Sequence, residues 1–501
     1  MQVKQIKKVT DRGRTDPAWW VNKVLGDIPW QKQIEILESV RDQSETSVKS
    51  CHGAGKSFIA ARTALWFLYN FYPSLVLTTA PTDRQVKGIL WKEIRTAHAK
   101  SKYPLGGEVL IQELKLDTNW FAMGFTAPEY DPDRFQGYHE ANILVIVDEA
   151  AGVGAPISEA IDGILSTGFA RRLNIGNPTD SSGPFGQSFK FSDVSRISIS
   201  AFDTPNFTAF GITEADIESG AWKEKVGDPL PYPSLVSPEW VATRLKRWGK
   251  DSPMYMSRVR AIFPGAGPNA LIPLIWVEAA QGRQDIAAEG PLVIGVDVAR
   301  FGDDSTAIAP RRGKVVPWVT EYRKEDTMET VGRVILEAKR AEKHFNVPVY
   351  SIGVDVIGVG SGVADRLREV VREEGYPWLV VDVNVAESVK GEYLDKGDPA
   401  PDSHRDELWW EVREWLKEGA SLPADDDILA GELTSPIFKV TSKGKIKIES
   451  KDDMKKRGLP SPNKADAVCI TFSQERGPGL GLLEHFRKQK EAIEATEEEA
   501  A

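Results

Sequence analysis

The sequence predicts an α/β chain made of two successive domains, from three observations. Its 501 residues are too many for one ordinary hydrophobic core. From about Pro29 to Phe202, short β-rich runs alternate with helical stretches, the pattern of a parallel sheet covered by helices. A second strand-rich block begins at "GPLVIGVDVARFGDDSTAIAP", beyond a stretch rich in proline and glycine. The expected boundaries are 1–265 for the first domain, with an irregular subdomain or linker over about 203–288. The second domain is expected over 289–480 and a charged tail over 481–501.

In the first domain, "SLVLTTAPT" (Ser74–Thr82), "ANILVIVDEA" (Ala141–Ala150) and "ARRLNIGNP" (Ala170–Pro178) read as buried strands, each ending in turn or polar residues. "KSFIAARTALWFLYNF" reads as a helix. From Asp203 to about Gly267 the chain reads as irregular, with one helix near "SPEWVATRLKRWG" and a connector at "FPGAGPNALIPLIW". The second block predicts three strands joined by tight turns, a helix at "METVGRVILEAKRAEKHF" and a further strand at "VYSIGVDVIG". The last stretch, "LLEHFRKQKEAIEATEEEAA", predicts a frayed, charged helical tail.

Composition narrows the functional classes. With 27% charged and 41% hydrophobic residues, and no run near the roughly 18 apolar residues of a membrane span, a soluble protein away from membranes is expected. The basic start "MQVKQIKKVTDRGR" lacks the apolar core of a secretory signal. Two cysteines, Cys51 and Cys469, give no disulfide framework or zinc cluster and suit a reducing cytoplasm. A net charge of −10 and a pI near 5.4 argue against a protein that coats nucleic acid, while leaving room for local basic patches.

The first constellation is "SCHGAGKS", Ser50–Ser57. In a phosphate loop, glycines turn backbone N–H groups toward the phosphates, a lysine reaches the β- and γ-phosphates, and a hydroxyl ligates Mg²⁺. Gly53, Gly55, Lys56 and Ser57 supply these parts, and a helix follows whose positive end faces the anion. The usual first glycine is replaced by Ser50. "ILVIVDEA" then offers a buried strand that delivers Asp148 to Mg²⁺ and Glu149 to an attacking water. Gln31 in "IPWQKQIEIL" is an amide able to read adenine, or a polar helix residue. Asn177 in "NIGNP" is a γ-phosphate sensor or a turn residue. Arg134 in "DRFQGYH" is an arginine finger for a neighbouring subunit's nucleotide, or a surface arginine.

The second constellation is three separated aspartates. Asp297 lies on an apolar strand, Asp355 on another, and Asp466 in the first turn of an expected helix at "GLPSPNKADAVCITF". An unpaired carboxylate on a buried strand is costly, so a strand acid implies a partner. Carboxylates converging from different elements are what two metal ions about 3.5–4 Å apart require, and strand order and helix placement match an RNase H-like layout. Alone, Asp466 reads as a helix-start acid. Asp303 and Asp304 read as turn residues, Asp406 and Glu407 as a solvated helix face, and His404 and its neighbouring tryptophans as surface and packing.

In this order, "SCHGAGKS", "VIVDEA", "IGNP", "VDVARFGDDST", "GVDVIGVGSGV" and "PSPNKADA" resemble the large terminase subunits of tailed bacteriophages, over roughly Pro29 to Phe472. The resemblance implies an N-terminal P-loop ATPase domain of the RecA/ASCE type followed by an RNase H-like nuclease domain. It implies a motor that hydrolyses ATP to drive double-stranded DNA into a procapsid and cuts the concatemer by two-metal catalysis. The implied nucleotide-binding residues are Gln31, Ser50, Gly53, Gly55, Lys56, Ser57, Asp148 and Asn177. Ser57 and Asp148 would hold Mg²⁺, and Glu149 and Arg134 would be catalytic. Asp297, Asp355 and Asp466 would ligate Mg²⁺ or Mn²⁺, two ions in all. Implied partners are the portal protein of the procapsid, a small terminase subunit and further copies in a ring, in the host cytoplasm. A helicase–nuclease would need a second RecA-like domain where the three aspartates stand; a non-catalytic scaffold would not need these side chains intact.

Overall fold

The structure is a computed structural model that describes residues 11–126, 137–138, 140–166, 168–264, 270–298, 305–323, 326–389, 400–441 and 444–473. Arg134, Asp303, Asp304 and the expected tail lie outside the described residues. The chain divides into two compact units, Met1–Ala266 and Gly267–Ala501.

The first unit is built on an eight-stranded sheet. Its strands are β1 (Glu45–Ser50), β2 (Leu75–Thr79), β3 (Glu108–Val109), β4 (Glu113–Asp117), β5 (Trp120–Gly124), β6 (Asn142–Asp148), β7 (Phe169–Gly176) and β8 (Ser195–Ile199). They lie in the order β3-β4-β5-β2-β6-β7-β1-β8. Strands β5, β2, β6, β7, β1 and β8 run parallel, and β4 and β3 close one edge as an antiparallel extension. Parallel strands covered on both faces need near-continuous apolar runs, and Ile143–Val147 of β6 is one, each residue at most 1% exposed. Leu75, Leu77, Ile143, Val145 and Val147 pack one face onto the helix Ala155–Ile164 through Ile157 and Ile161. Each such buried side chain contributes about 1.5–3 kcal/mol. The helix Lys56–Asn70, buried along most of its length, packs against β2, β5, β6 and β7. Strand β7 lies between β1 and β6, so the loop after β1 and the acids ending β6 emerge at one sheet edge with the end of β7. This is the strand arrangement of an ASCE-type P-loop domain.

Residues 203–264 are more regular than the sequence suggests. Short helices, including Pro205–Thr208, Glu214–Ser219, Pro238–Trp248 and Pro253–Arg258, fold back on the loop after β1. The Val236 N–H donates to the Gly53 carbonyl (3.0 Å), and the His52 N–H donates to the Arg258 carbonyl (2.9 Å). Serine caps at Ser237 and Ser252, each followed by proline, start two of these helices, so Pro-rich sequence here marks helix starts.

The second unit has a five-stranded sheet of β9 (Leu292–Asp297), β10 (Thr306–Arg312), β11 (Thr320–Tyr322), β12 (Val349–Asp355) and β13 (Leu379–Val383), in the order β11-β10-β9-β12-β13. Strands β9, β10 and β11 are antiparallel neighbours, whereas β12 runs parallel to β9 and β13 to β12. That mixed order is RNase H-like. A two-stranded hairpin, β14 (Phe438–Val440) and β15 (Ile446–Ile448), stands apart. The link from β10 to β11 opens with a tight turn at Gly313–Lys314, closed by the Arg312–Val315 pair, and then detours: Val316 N–H donates to the Ser421 carbonyl (3.0 Å), and Ser421 N–H to the Lys314 carbonyl (2.8 Å).

One sheet face packs on the helices Thr327–Phe345 and Gly360–Glu373, through Val331, Val334, Val363 and Leu367. The helix Asn463–Ile470 lies across β9 and β10. Gly295 permits this crossing: a Cβ there would sit 2.1 Å from the Ala467 carbonyl oxygen. The sheet thereby meets Asp297 and Asp355, at adjacent strand ends, with Asp466 on the crossing helix.

Candidate functional site

In the first unit, Gly53 and Gly55 hold φ of 67° and 80°, left-handed values that cost glycine little. Gly55 directly precedes the helix that begins at Lys56. Lys56 Nζ donates to Asn177 Oδ1 at 2.9 Å and lies 3.8 Å from Glu149. Ser57 Oγ donates to Asp148 Oδ2 at 3.3 Å. Asn177 Nδ2 donates to the Ser50 carbonyl at 2.7 Å. The phosphate loop, the Asp-Glu pair and the Asn after β7 are thus knitted side chain to side chain. The Ser50 side chain is fully buried and donates to the Cys51 carbonyl at 3.2 Å, so Ser50 meets the loop through its backbone.

Asp148 and Glu149 sit in different surroundings. Burial first, then the neighbouring Glu149 charge, pushes Asp148 up to about 7 against the opposing pull of Lys56. Glu149 is partly exposed, with φ at 47°, a left-handed value unusual for a side-chain-bearing residue. Such backbone costs on the order of 1–3 kcal/mol and turns Glu149 off the strand line. The donor set suits a nucleotide with a cation: an ammonium at a helix start, with a hydroxyl and a buried carboxylate beside each other.

Gln31 is exposed at the first turn of the helix Gln31–Asp42. The residue on the loop is Gln33, 3% exposed, whose Nε2 donates to the Gly55 carbonyl at 3.4 Å. Two glutamines lie in one helical turn, and composition does not say which faces inward.

In the second unit, Asp297 and Asp355 line one open cleft of about 450 Å³ with Arg405, Lys447 and Lys451, and a smaller adjoining pocket adds Asp466 and Trp409. The structure therefore brings the three sequence-predicted aspartates together. Lys451 bridges two of them, its Nζ 3.3 Å from Asp297 Oδ2 and 2.9 Å from Asp466 Oδ2. Trp409 Nε1 donates to Asp466 Oδ1 at 2.8 Å, and Arg405 Nε lies 3.8 Å from the same oxygen. The Ile357 N–H donates to Asp355 Oδ1 at 3.0 Å. The buried Glu432 accepts from the Ala465 N–H at 3.0 Å and fixes the turn that carries Asp466.

These neighbours split the titration of the acids. Burial pushes Asp297 up to about 7, with Asp466 and Asp355 adding to the rise and Lys451 opposing it. Burial also raises Asp355. Burial alone would raise Asp466, but Lys451 and Arg405 outweigh it and hold that carboxyl below its usual range. Among the described residues, no three acid, histidine or cysteine side chains converge closely enough to hold a metal. Asp297 and Asp466 nevertheless flank one cationic point, the Lys451 ammonium, with the hard oxygen donors that Mg²⁺ and Mn²⁺ prefer, so the residues fit a divalent cation.

Three readings of the helix His404–Lys417 change. Asp406 and Glu407 are 4% and 5% exposed, so they do not form a solvated face. Asp406 accepts from the Ser403 N–H and the Ile448 N–H (2.9 and 2.7 Å), capping the helix and pinning β15, and Glu407 faces His404 Nδ1 at 3.0 Å. Trp409, fully buried, belongs to the aspartate site. Lys451, Arg405, Trp409 and Gln33 are the residues that sequence reasoning misses. The lysine-rich run "KGKIKIESKDDMKKR" is the one signal near them, and it does not single out Lys451.

No family model matches the chain. A curated relative, the "Probable terminase, large subunit" of Enterobacteria phage P7, is 26% identical over 514 residues, 91% of this chain and 93% of that protein. Among solved structures, the large terminase from a thermophilic bacteriophage aligns at 12% identity over 89% of this chain and 99% of its own, with a TM-score of 0.39. The nuclease domain of the large terminase subunit gp2 of bacterial virus Sf6 aligns at 23% identity over 40% of this chain and 98% of its own, with a TM-score of 0.33. With its phosphate loop, Asp-Glu strand and three-aspartate sheet following one another in that order, the chain resembles the large terminase subunit of tailed bacteriophages along nine-tenths of its length.

Proposed function

We propose that the chain is a viral DNA-packaging motor that hydrolyses ATP in its first unit and cuts DNA in its second. The observation that carries the reading is that two separate side-chain clusters, Lys56–Ser57–Asp148–Glu149–Asn177 and the pocket-lining Asp297, Asp355 and Asp466, are gathered around separate sheets on one chain. The domain assignment proposed is a motor domain over 1–265 and a nuclease domain over 289–480.

In the motor, Lys56 would exchange its Asn177 and Glu149 partners for the β- and γ-phosphates of ATP, and Ser57 and Asp148 would hold Mg²⁺. Glu149, freed from Lys56, orients and deprotonates the attacking water. Asn177, tied to Ser50 and Lys56 together, registers whether the γ-phosphate is present. Arg134 is assigned to a neighbouring subunit's nucleotide in a ring of copies. In the nuclease, Asp297, Asp355 and Asp466 would hold two Mg²⁺ or Mn²⁺ ions, and Trp409 and Arg405 fix the Asp466 carboxylate. Bound divalent ions there would supply charge for the attacking and leaving oxygens of a phosphodiester. The partners assigned are double-stranded DNA cut from a concatemer, the portal of a procapsid and a small terminase subunit, in the host cytoplasm. No helix among the described residues is long and apolar enough to cross a membrane.

ATP turnover measured with and without linear duplex DNA, alongside a strand-unwinding assay, tests the motor. DNA-stimulated hydrolysis without unwinding is expected. Unwinding would favour a helicase, and no ATP turnover under any condition would favour a scaffold. Arg134→Ala is expected to abolish turnover in the assembled motor while leaving nucleotide binding intact; lost binding would remove the finger assignment.

A further inference from the structure

We infer that the hairpin β14–β15 is the surface that grips the phosphate backbone of duplex DNA and delivers it to the three aspartates, with Lys439, Lys445 and Lys447 as the positioning residues. This rests on the nuclease reading above and names the side of the cleft from which its substrate enters.

The stretch from Ile437 to Arg457 holds eight lysines and arginines against three acids, in a chain whose net charge is −10. The fold concentrates part of this charge on one face. Lys439 and Lys447 stand directly opposite each other across the antiparallel pair, flanked by the pairs Phe438–Ile448 and Val440–Ile446. Because side chains alternate along a strand, Lys445 joins Lys447 on the side away from the buried Ile446 and Ile448. Like charges directly opposite on a sheet are destabilising. Folding alone gives no reason to keep them. One carboxylate, Asp402, lies 3.7 Å from both Lys445 and Lys447, so a single negative charge faces two ammonium groups. A polyanion would relieve the excess.

Placement ties this face to the cleft. Lys447 lines the same cleft as Asp297 and Asp355. The hairpin is held firmly at its base: Phe438 packs edge-on against Trp410 at 5.6 Å, and the Ile448 N–H is fixed by Asp406. Asp406 and Trp410 belong to the helix that also carries Arg405 and Trp409, the partners of Asp466. A phosphate held by Lys447 is therefore held in register with the aspartates by one rigid helix. Contacts of this kind position the backbone and carry no base sequence.

The test uses the full chain and the variant Lys439→Gln/Lys445→Gln/Lys447→Gln. Binding of a fluorescent duplex of about 30 bp is followed by anisotropy in EDTA across a salt series, and plasmid cleavage with Mn²⁺ is followed in parallel. Each phosphate contact contributes about 0.9 to the slope of log affinity against log salt. The variant is expected to lose about two to three units of slope and to raise the KM for DNA about tenfold with kcat retained. Its unfolding midpoint should be held or raised, since repulsion is removed. An unchanged slope and KM in a chain that still cuts would overturn the inference and leave the face to some other partner. If the intact chain does not cut at all, yet the variant loses slope, the nuclease reading fails and the DNA-gripping face stands.

Discussion

At the scale of single residues, the two sites share a feature: a buried aspartate, Asp148 or Asp297, whose carboxyl is raised to about 7. Asp297 is pushed up to about 7, chiefly by burial, so near neutrality a divalent ion competes with a proton for its oxygens. Below about pH 7 the Mn²⁺ affinity of the nuclease site should therefore fall, by about tenfold per pH unit for one displaced proton, and level off above about pH 8. Calorimetric titrations of the intact chain and of Asp297→Asn check this; affinity independent of pH between about 6 and 8 would contradict it. Trp409 acts on the same site through Asp466. Trp409→Phe keeps an aromatic side chain, smaller than the indole, and removes the N–H, and should lower cleavage about 10–100-fold with ATP turnover unchanged, as loss of a partner to a metal-binding group does. The three aspartates are legible in the sequence because a carboxylate ending an apolar strand is chemically conspicuous. Lys451, Arg405 and Trp409 are not, because they reach the site from tens of residues away and resemble ordinary surface and core side chains until the fold gathers them.

Elements are legible in proportion to their apolar periodicity. Strand β6 and the helices Lys56–Asn70 and Thr327–Phe345 lie where their sequences put them. The helices between Pro205 and Arg258 look irregular in sequence, since several are short and open at a capped proline that a linear reading counts as a breaker. The buried acids of His404–Lys417 escape a sequence reading because a helix rich in charge looks solvated when its capping and hairpin-pinning contacts come from Ser403 and Ile448. At this scale Gly295 is the sharpest test. Gly295→Ala drives a methyl to 2.1 Å from the Ala467 carbonyl, so the helix bearing Asp466 must lift or the sheet must bend. A loss of about 1–3 kcal/mol in the second unit, with lost cleavage, is expected. Gly332→Ala, on the helix Thr327–Phe345 with open space around it, should be neutral or gain about 0.5–1 kcal/mol. Chemical denaturation of both variants checks the pair; equal effects would mean that close approach at Gly295 does not govern the crossing.

For the whole molecule, a length too great for one core implies two domains, and each unit carries its own sheet and its own buried cluster. Residues 1–266 and 267–501 made separately should each unfold cooperatively in calorimetry, the first retaining ATP binding and the second Mn²⁺ binding. The net charge of −10 conceals the basic hairpin, because a sum over a chain says nothing about where its charges gather. The central claim is that one chain bears two independent active sites. The most direct measurement is ATP hydrolysis and plasmid cleavage side by side for the intact chain, Glu149→Ala and Asp297→Ala. Two independent sites predict that Glu149→Ala loses hydrolysis and still cuts, while Asp297→Ala hydrolyses ATP and does not cut. Cleavage by Asp297→Ala at the rate of the intact chain would contradict the three-aspartate site and leave only an ATPase.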